Sequence, residues 1–252
     1  MPINISAVVI SKNEVDRIGD CIQSILPLTN DIIVMDSGSE DGTIEMAKSL
    51  GAKVFETEWK GYGPTKNLGH SKAKHEWILS IDADEVVTAK LAAELRQLDV
   101  DPQVVYAIDR QNFYLGQQIK YSGWSPDWVY RLFHKKNVQW NDSLVHEKLI
   151  ISKSFKIVKL KGKLNHFSYR SKEDHRAKIE KYAALRAQIW QNTNRKPGVL
   201  KKWFGPFLKG FKSFVLKLGF LDGHAGWVIA KMNVYLVRRQ LYYFDQLNQK
   251  KP

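Results

Sequence analysis

Two carboxylates one residue apart, Asp82 and Asp84, close the largely apolar run Glu76-Trp77-Ile78-Leu79-Ser80-Ile81. An apolar strand that ends this way is costly, because the two charges repel and lose hydration. A divalent cation that bridges to a diphosphate removes the cost. Hard oxygen ligands suit Mg²⁺ or Mn²⁺, and magnesium sites often use one or two carboxylates with substrate phosphates. The plainer alternative is a pair of solvated acids in a helix's first turn. A second acidic element, Asp36-Ser37-Gly38-Ser39-Glu40-Asp41-Gly42-Thr43, follows another apolar run. A carboxylate at a strand end accepts hydrogen bonds from ribose hydroxyls or base N–H groups. Asp41 and Thr43 could equally do no more than cap a helix. A third element is Lys66-Asn67, just after Gly61, Gly63 and Pro64. A lysine beside a diphosphate supplies a point charge. Taken alone, Lys66 reads more simply as a solvated lysine.

These residues need elements to bring them together. Residues 5–10 read as a buried strand, and the polar turn Ser11-Lys12-Asn13-Glu14 opens a helix through about Leu26, ended by Pro27. A second strand covers 31–36. A helix from Thr43 to Leu50 follows, ended by Gly51. A third strand covers 53–56, a helix runs from about Thr65 to Lys74, and a fourth strand covers 76–81. Strands and helices alternate, and the strands are continuously apolar. That pattern predicts an α/β fold, with a mostly parallel central sheet covered on both faces. In such sheets ligands bind at the carboxyl ends of strands, which here read Ser11-Lys12-Asn13, Asp36-Ser37-Gly38 and Asp82-Ala83-Asp84. Residues 100–170 predict shorter strands and loops with an antiparallel part. From about Lys172 the pattern is helical, with Ile179, Tyr182, Ala183, Ile189 and Trp190 on one face.

The ordered set Ser11-Lys12-Asn13-Glu14, Asp36-Ser37-Gly38-Ser39-x-Asp41-Gly42-Thr43, Lys66-Asn67 and Asp82-x-Asp84-Glu85 resembles the family 2 glycosyltransferases of the GT-A fold. The resemblance is most specific over residues 3–100. The family's usual Pro-x-Tyr-Asn-Glu opening is here Ile10-Ser11-Lys12-Asn13-Glu14, a departure typical of a subgroup. Further on stand Trp124-Ser125-Pro126-Asp127, Arg131-Leu132-Phe133, Val145-His146-Glu147, Leu164-Asn165-His166-Phe167-Ser168-Tyr169 and Gly219-Phe220-Leu221-Asp222-Gly223. This second set is similar to lipopolysaccharide core β-glucosyltransferases. The Gln-x-x-Arg-Trp signature of processive synthases is missing, which implies transfer of a single sugar.

The resemblance implies a catalytic region over 1–170, with a nucleotide-sugar half at 1–100 and an acceptor half at 101–170. A helical basic extension covers 171–252. Ser11, Asn13, Glu14, Asp36, Ser37, Lys66 and Asp82 would line the donor site, with Asp36 on the nucleoside and Lys66 near the diphosphate. Asp84 would ligate the metal, with Asp82 and His166 in its shell. The acceptor hydroxyl must lose its proton as it attacks, and a carboxylate within reach does this. The family draws that base from the second half of the domain. Glu147 is the first choice, with Asp142 and Asp127 behind it. Trp124, Trp128 and Trp140 suit either a sugar face or the core. The implied donor is a UDP-sugar, with glucose suggested by the subgroup, and the implied acceptor is a glycolipid. Two rivals stand beside this reading. A sugar-phosphate nucleotidyltransferase lacks support, because residues 3–15 hold no Gly-rich phosphate loop. A noncatalytic basic module would act through its tail.

The bulk numbers agree with a folded chain that needs no staple. It has 252 residues, 44% of them hydrophobic, and one cysteine, Cys21, expected in core packing. Residues 195–252 carry twelve Lys/Arg against Asp222 and Asp245, a net +10 out of +13. Such a tail implies an anionic partner. Between 200 and 218 bulky apolar residues recur at helical spacing with lysines between them, and Gly205-Pro206 is expected to break this stretch near Pro206. A basic helix with an aromatic face suits an anionic membrane, with contact expected over 200–245. Packing on the catalytic region is the other reading. No nucleic-acid motif accompanies the charge. No signal peptide or apolar run of ~20 residues is present, so the expected place is cytoplasmic, at the inner face of the cytoplasmic membrane.

Overall fold

The computed structural model describes residues 3–142, 148–194 and 196–249. The chain divides into two compact units. Unit one holds residues 1–110 and 127–166, and unit two holds 111–126 and 167–252.

Unit one is built on a mixed sheet. Its strands are β1 (Ile5–Ser11), β2 (Ile32–Asp36), β3 (Lys53–Glu56), β4 (Trp77–Asp82), β5 (Glu85–Val87), β6 (Val104–Tyr114), β8 (Trp128–His134) and β11 (Lys156–Tyr169). Their order is β3-β2-β1-β4-β8-β6-β11-β5. β3, β2, β1 and β4 are parallel, and antiparallel pairing extends the sheet from β8 onward. Every residue of β1 and β2 is buried, as expected of a sheet covered on both faces. The polar exceptions have partners. Ser6 donates to Asp31, which also accepts from Lys53 Nζ at 2.8 Å and from the Lys74 N–H at 2.9 Å. The small strands β9 (Gln139–Trp140) and β10 (Leu149–Ile150) pair antiparallel.

Helix α1 (Val15–Ile25) buries Ile18, Cys21, Ile22 and Ile25, one face of a 3.6-residue period. Cys21 is wholly buried. Desolvation, reinforced by Glu85, Asp84 and Asp82, pushes its thiol well above the ordinary range. Helix α2 is Thr43–Ser49. Helix α3 (Tyr62–Lys72) begins three residues before the expected Thr65. Pro64 sits in its first turn, where the missing N–H would have had no helical partner anyway. Helix α4 (Ala89–Arg96) is capped by Thr88, whose side chain accepts from the Leu91 N–H.

β11 corrects the expectation of shorter strands, since it runs for 14 residues. Leu160, Gly162 and Leu164 turn toward α4 or the core while Lys159, Lys161 and Lys163 alternate with them, a period of two. Gly162 is required by contact: a Cβ there would lie 2.3 Å from Leu91 Cα.

Unit two is helical. It contains α5 (Lys172–Asn192), α6 (Val199–Phe211), a π-helical turn at Lys212–Leu216, a 3₁₀ turn at Gly219–Asp222 and α7 (Gly223–Gln249). The short strand β7 (Gln117–Gln118) pairs with the end of β6. α5 buries His175, Ile179, Ala183, Ala187 and Trp190. Tyr182 and Ile189, expected on that face, are exposed because they fall one residue to the side of this stripe. The expected break at Gly205-Pro206 does not occur, and α6 runs through Pro206. Packing overrides the lost hydrogen bond: Pro206 is buried, and Gly210 lets α6 approach Val234 of α7. Buried Asp222 accepts from the Lys120 and Tyr121 N–H groups and from Ser122 Oγ at 2.8 Å. The Gly219–Gly223 motif is therefore a clamp on the 117–122 loop. No helix among the described residues is long and apolar enough to cross a membrane.

Candidate active site

The parallel register sets the site. Ser11 lies opposite Asp36, and Ile10 lies opposite Asp82, so three polar strand ends converge at one edge of unit one.

Asp36 is fully buried and fully used. One carboxylate oxygen accepts from Ser11 Oγ at 2.7 Å and Ser39 Oγ at 2.6 Å, and the other from the N–H groups of Gly38 and Ser39. It thereby fixes the loop after β2. Asn13 ties in the loop after β1: its N–H donates to Ser39 Oγ, and its side-chain oxygen accepts from the Glu40 N–H. The Glu14 N–H donates to Thr43 Oγ1. Ser11, Asn13 and Asp36 are thus the frame of the pocket edge. Ser37 Oγ is buried there without a hydrogen-bond partner, so a polar ligand would relieve it.

Lys66 is almost wholly buried, contrary to the reading of it as a solvated lysine. Its Nζ lies 3.1 Å from Asp82 Oδ1 and 4.6 Å above the Trp140 ring. Asn67, next on α3, grips the Trp140 backbone twice, donating to its carbonyl at 2.9 Å and accepting from its N–H at 3.0 Å. Gly63 makes the close approach possible, since a Cβ there would stand 1.9 Å from the Asn141 carbonyl oxygen.

Asp82 meets a second cation, with Arg131 Nη2 2.5 Å from its Oδ2. Arg131 Nη2 also lies 2.5 Å from Glu85 Oε1, and Glu85 accepts from the Asp82 N–H through its other oxygen. Arg110 continues the chain, reaching Glu85 Oε1 at 3.3 Å and Asp127 Oδ2 at 2.8 Å. Burial pushes the Asp82 carboxyl up, but Arg131, Lys66 and Arg110 more than offset this and hold it far below the usual carboxylate range. Burial likewise works against the Arg131 charge, and Asp82 and Glu85 more than restore it. The sequence gives no sign of this Asp82–Arg131–Glu85–Arg110–Asp127 network. Arg131 and Glu85 stood only as letters in motifs, because pairing across β4, β5 and β8 is not local.

Asp84 meets His166 and Arg17. Its Oδ2 lies 3.5 Å from His166 Nε2 and 3.9 Å from Arg17 Nη1, which also approaches Glu14. The cause is register: His166 of β11 lies opposite Glu85 of β5. The donor pair fits a divalent ion in part. One carboxylate oxygen and one imidazole nitrogen face each other, and among the described residues no group of three His, Cys, Asp or Glu is placed to hold a metal ion. The carboxylate, completed by phosphate oxygens, suits Mg²⁺ or Mn²⁺, whereas the imidazole is a donor more typical of softer divalent ions.

The base candidates separate. Glu147 lies outside the described residues. Asp142 is exposed. Asp127 has one oxygen taken up by Arg110. Of the tryptophans, Trp140 is buried, Trp128 is partly exposed under Lys159, and Trp124 packs on Tyr114 and Tyr169 in unit two.

Comparison with known proteins identifies the family. The profile of Glycosyl transferase family 2 matches residues 6–156, more than half of the chain. An uncharacterized glycosyltransferase of Rickettsia bellii is 30% identical, over 89% of this chain and 80% of its own. The lipopolysaccharide core biosynthesis glycosyltransferase LpsC of Rhizobium meliloti is 27% identical, over 87% of this chain and 82% of its own. Among solved structures, S. aureus TarS 1–349 aligns with a TM-score of 0.45 at 14% identity, covering 99% of this chain and 92% of that one. With the family profile matched over more than half of its length, the chain belongs to glycosyl transferase family 2.

Proposed function

We propose that this glycosyltransferase moves one hexose, glucose first among the candidates, from a UDP-sugar to a lipid-linked acceptor of the lipopolysaccharide core type, with inversion. The observation that supports the reading is the pairing of Asp84 with His166, while Lys66 pairs with Asp82 two residues before Asp84. It divides the two acids by role. Asp82 is held between Lys66 and Arg131, which leaves Asp84 and His166 to hold Mg²⁺ or Mn²⁺. A bound divalent ion would stabilise the charge on the departing diphosphate.

The chain's own residues supply the rest. Ser37, beside the loop fixed by Asp36, offers a hydroxyl to the nucleoside. Lys66 brings a buried positive charge to the diphosphate. A carboxylate takes the acceptor hydroxyl's proton as its oxygen attacks the anomeric carbon and the bond to the diphosphate oxygen breaks. Glu147 is the first choice for that base, ahead of Asp142, and Asp127 is last because Arg110 binds it. The likeness to LpsC supports the lipid-linked acceptor. Such an acceptor is met at a membrane, so the proposed place of action is cytoplasmic, on the inner face of the cytoplasmic membrane.

Calorimetric titration with UDP-glucose, UDP-galactose, UDP-N-acetylglucosamine and UDP, each with Mn²⁺ and with chelator, tests the donor site. Metal-dependent binding lost in Asp84→Asn is the expected result. Binding of none of the four would overturn the uridine donor.

A further inference from the structure

We infer that the outer face of α6 and the turns after it, residues 199–221, lies in the headgroup boundary of an anionic bilayer. The inference deepens the lipid-linked reading of the acceptor and rests on it for its purpose. Its physical case comes from unit two alone.

α6 is inside out. A water-facing helix turns its large apolar side chains to the core and its polar ones to solvent. Here Pro206 and Gly210, with Ser213 of the π turn, form the buried side. A Cβ on Gly210 would lie 2.6 Å from Val234 Cγ2 of α7, so the contact is made through small residues. The large side chains face away: Leu200 is 76% exposed, Trp203 78% and Phe207 67%. Half of the exposed large apolar side chains among the described residues fall between 199 and 227. A contiguous patch of that kind marks an interaction surface.

Charge identifies the occupant. Lys201, Lys202, Lys209, Lys212 and Lys217 are interleaved with these residues and exposed, and no acid occurs between 199 and 221. An apolar protein partner would leave those charges unused, and a second copy would set the same lysines against each other. An anionic lipid surface takes both the aromatic rings and the ammonium groups. α6 spans 13 residues, too short to cross a bilayer, so it lies in the plane. Beside this face a shallow groove is lined by Lys202, Trp203 and Phe207 of α6 and by Val234, Arg238 and Leu241 of α7, so apolar and basic side chains stand together there.

The test is co-sedimentation of the full chain with phosphatidylcholine vesicles, with and without phosphatidylglycerol. Binding to the anionic vesicles should be at least about tenfold tighter, and high salt should weaken it. Trp203→Ser/Phe207→Ser/Phe211→Ser should lose about tenfold or more of that binding while UDP-sugar binding in solution stays unchanged. Lys209→Glu/Lys212→Glu, which leaves the aromatic face intact, should lose the preference for anionic lipid. Equal binding by the triple variant and its parent would overturn the inference. So would a parent chain that ignores both vesicles, or one that self-associates through this face. Failed vesicle binding with intact donor binding removes only this surface. Failed donor binding with intact vesicle binding removes the transferase reading instead.

Discussion

His166 Nε2 lies 3.5 Å from Asp84 Oδ2, although the two stand on different segments of the chain. The pair exists because β5 and β11 align Glu85 with His166. Asp84→Asn and His166→Ala should each lower sugar transfer by about 100-fold or more. Neither should move the thermal midpoint by more than about 2–4 °C, since both side chains are partly exposed. Assay of transfer beside thermal unfolding checks this. Parent-level transfer in either variant would remove the pair from the reaction.

Arg131 is buried and pairs at once with Asp82 and Glu85. Its removal leaves the fully buried Glu85 with the Asp82 N–H and with Arg110 at 3.3 Å, a longer ion pair than the one lost. Arg131→Met should cost about 3–5 kcal/mol in urea unfolding, because it strands a buried charge. The double variant Arg131→Met/Glu85→Gln should recover part of that loss. No recovery would mean that packing, rather than charge, sets the role of Arg131.

His70 is buried on α3 with Nε2 unpartnered, its ring edge against Phe133. Burial, with the nearby charges of Lys66 and Lys135, lowers its pKa to about 3. The unfolded chain therefore binds the proton from the ordinary 6.5 downward while the folded one does not. Stability is complete above 6.5 and falls with pH by about 1.4 kcal/mol per unit between 6.5 and 3. His175 in unit two, lowered to about 4 mainly by burial, acts in the same direction. Urea midpoints at about pH 7 and about pH 5 should differ less in His70→Leu than in the parent. An unchanged difference would show that His70 is already protonated in the folded protein.

Gly63 faces the Asn141 carbonyl so closely that a Cβ would overlap it. Gly63→Ala should push the β9 backbone away from α3 and cost about 1–3 kcal/mol. It should also disturb the Asn67 clamp on Trp140 and the ring over Lys66. A drop in donor affinity larger than the one seen in Gly51→Ala, a solvent-facing glycine, would tie that clamp to the site. Equal effects would confine Gly63 to stability.

Much of unit one was legible beforehand. Strands β1, β2 and β4 are largely apolar runs, and each ends in a polar residue that a parallel sheet must place on one edge. The Asp36 and Asp82–Asp84 elements followed from that rule and from local spacing, while Lys66, on a helix, entered only through the family resemblance. The exposed aromatic face of α6 was readable as helical periodicity. Two misreadings share a cause. Pro64 and Pro206 signal breaks by local rules, but the first sits where no hydrogen bond is lost and the second is held by packing on α7.

The sequence by itself determined the alternation of strands and helices, the family, the acids at the strand ends and the basic character of the tail, because all of these are local in the chain. Only the tertiary structure decided which partners those acids meet. Arg131 reaches Asp82 from β8, His166 reaches Asp84 from β11, and Lys66 loses its water to Trp140. Such pairings depend on strand register and on which side chains share a low-dielectric interior, and neither quantity is written in the spacing of residues along one strand.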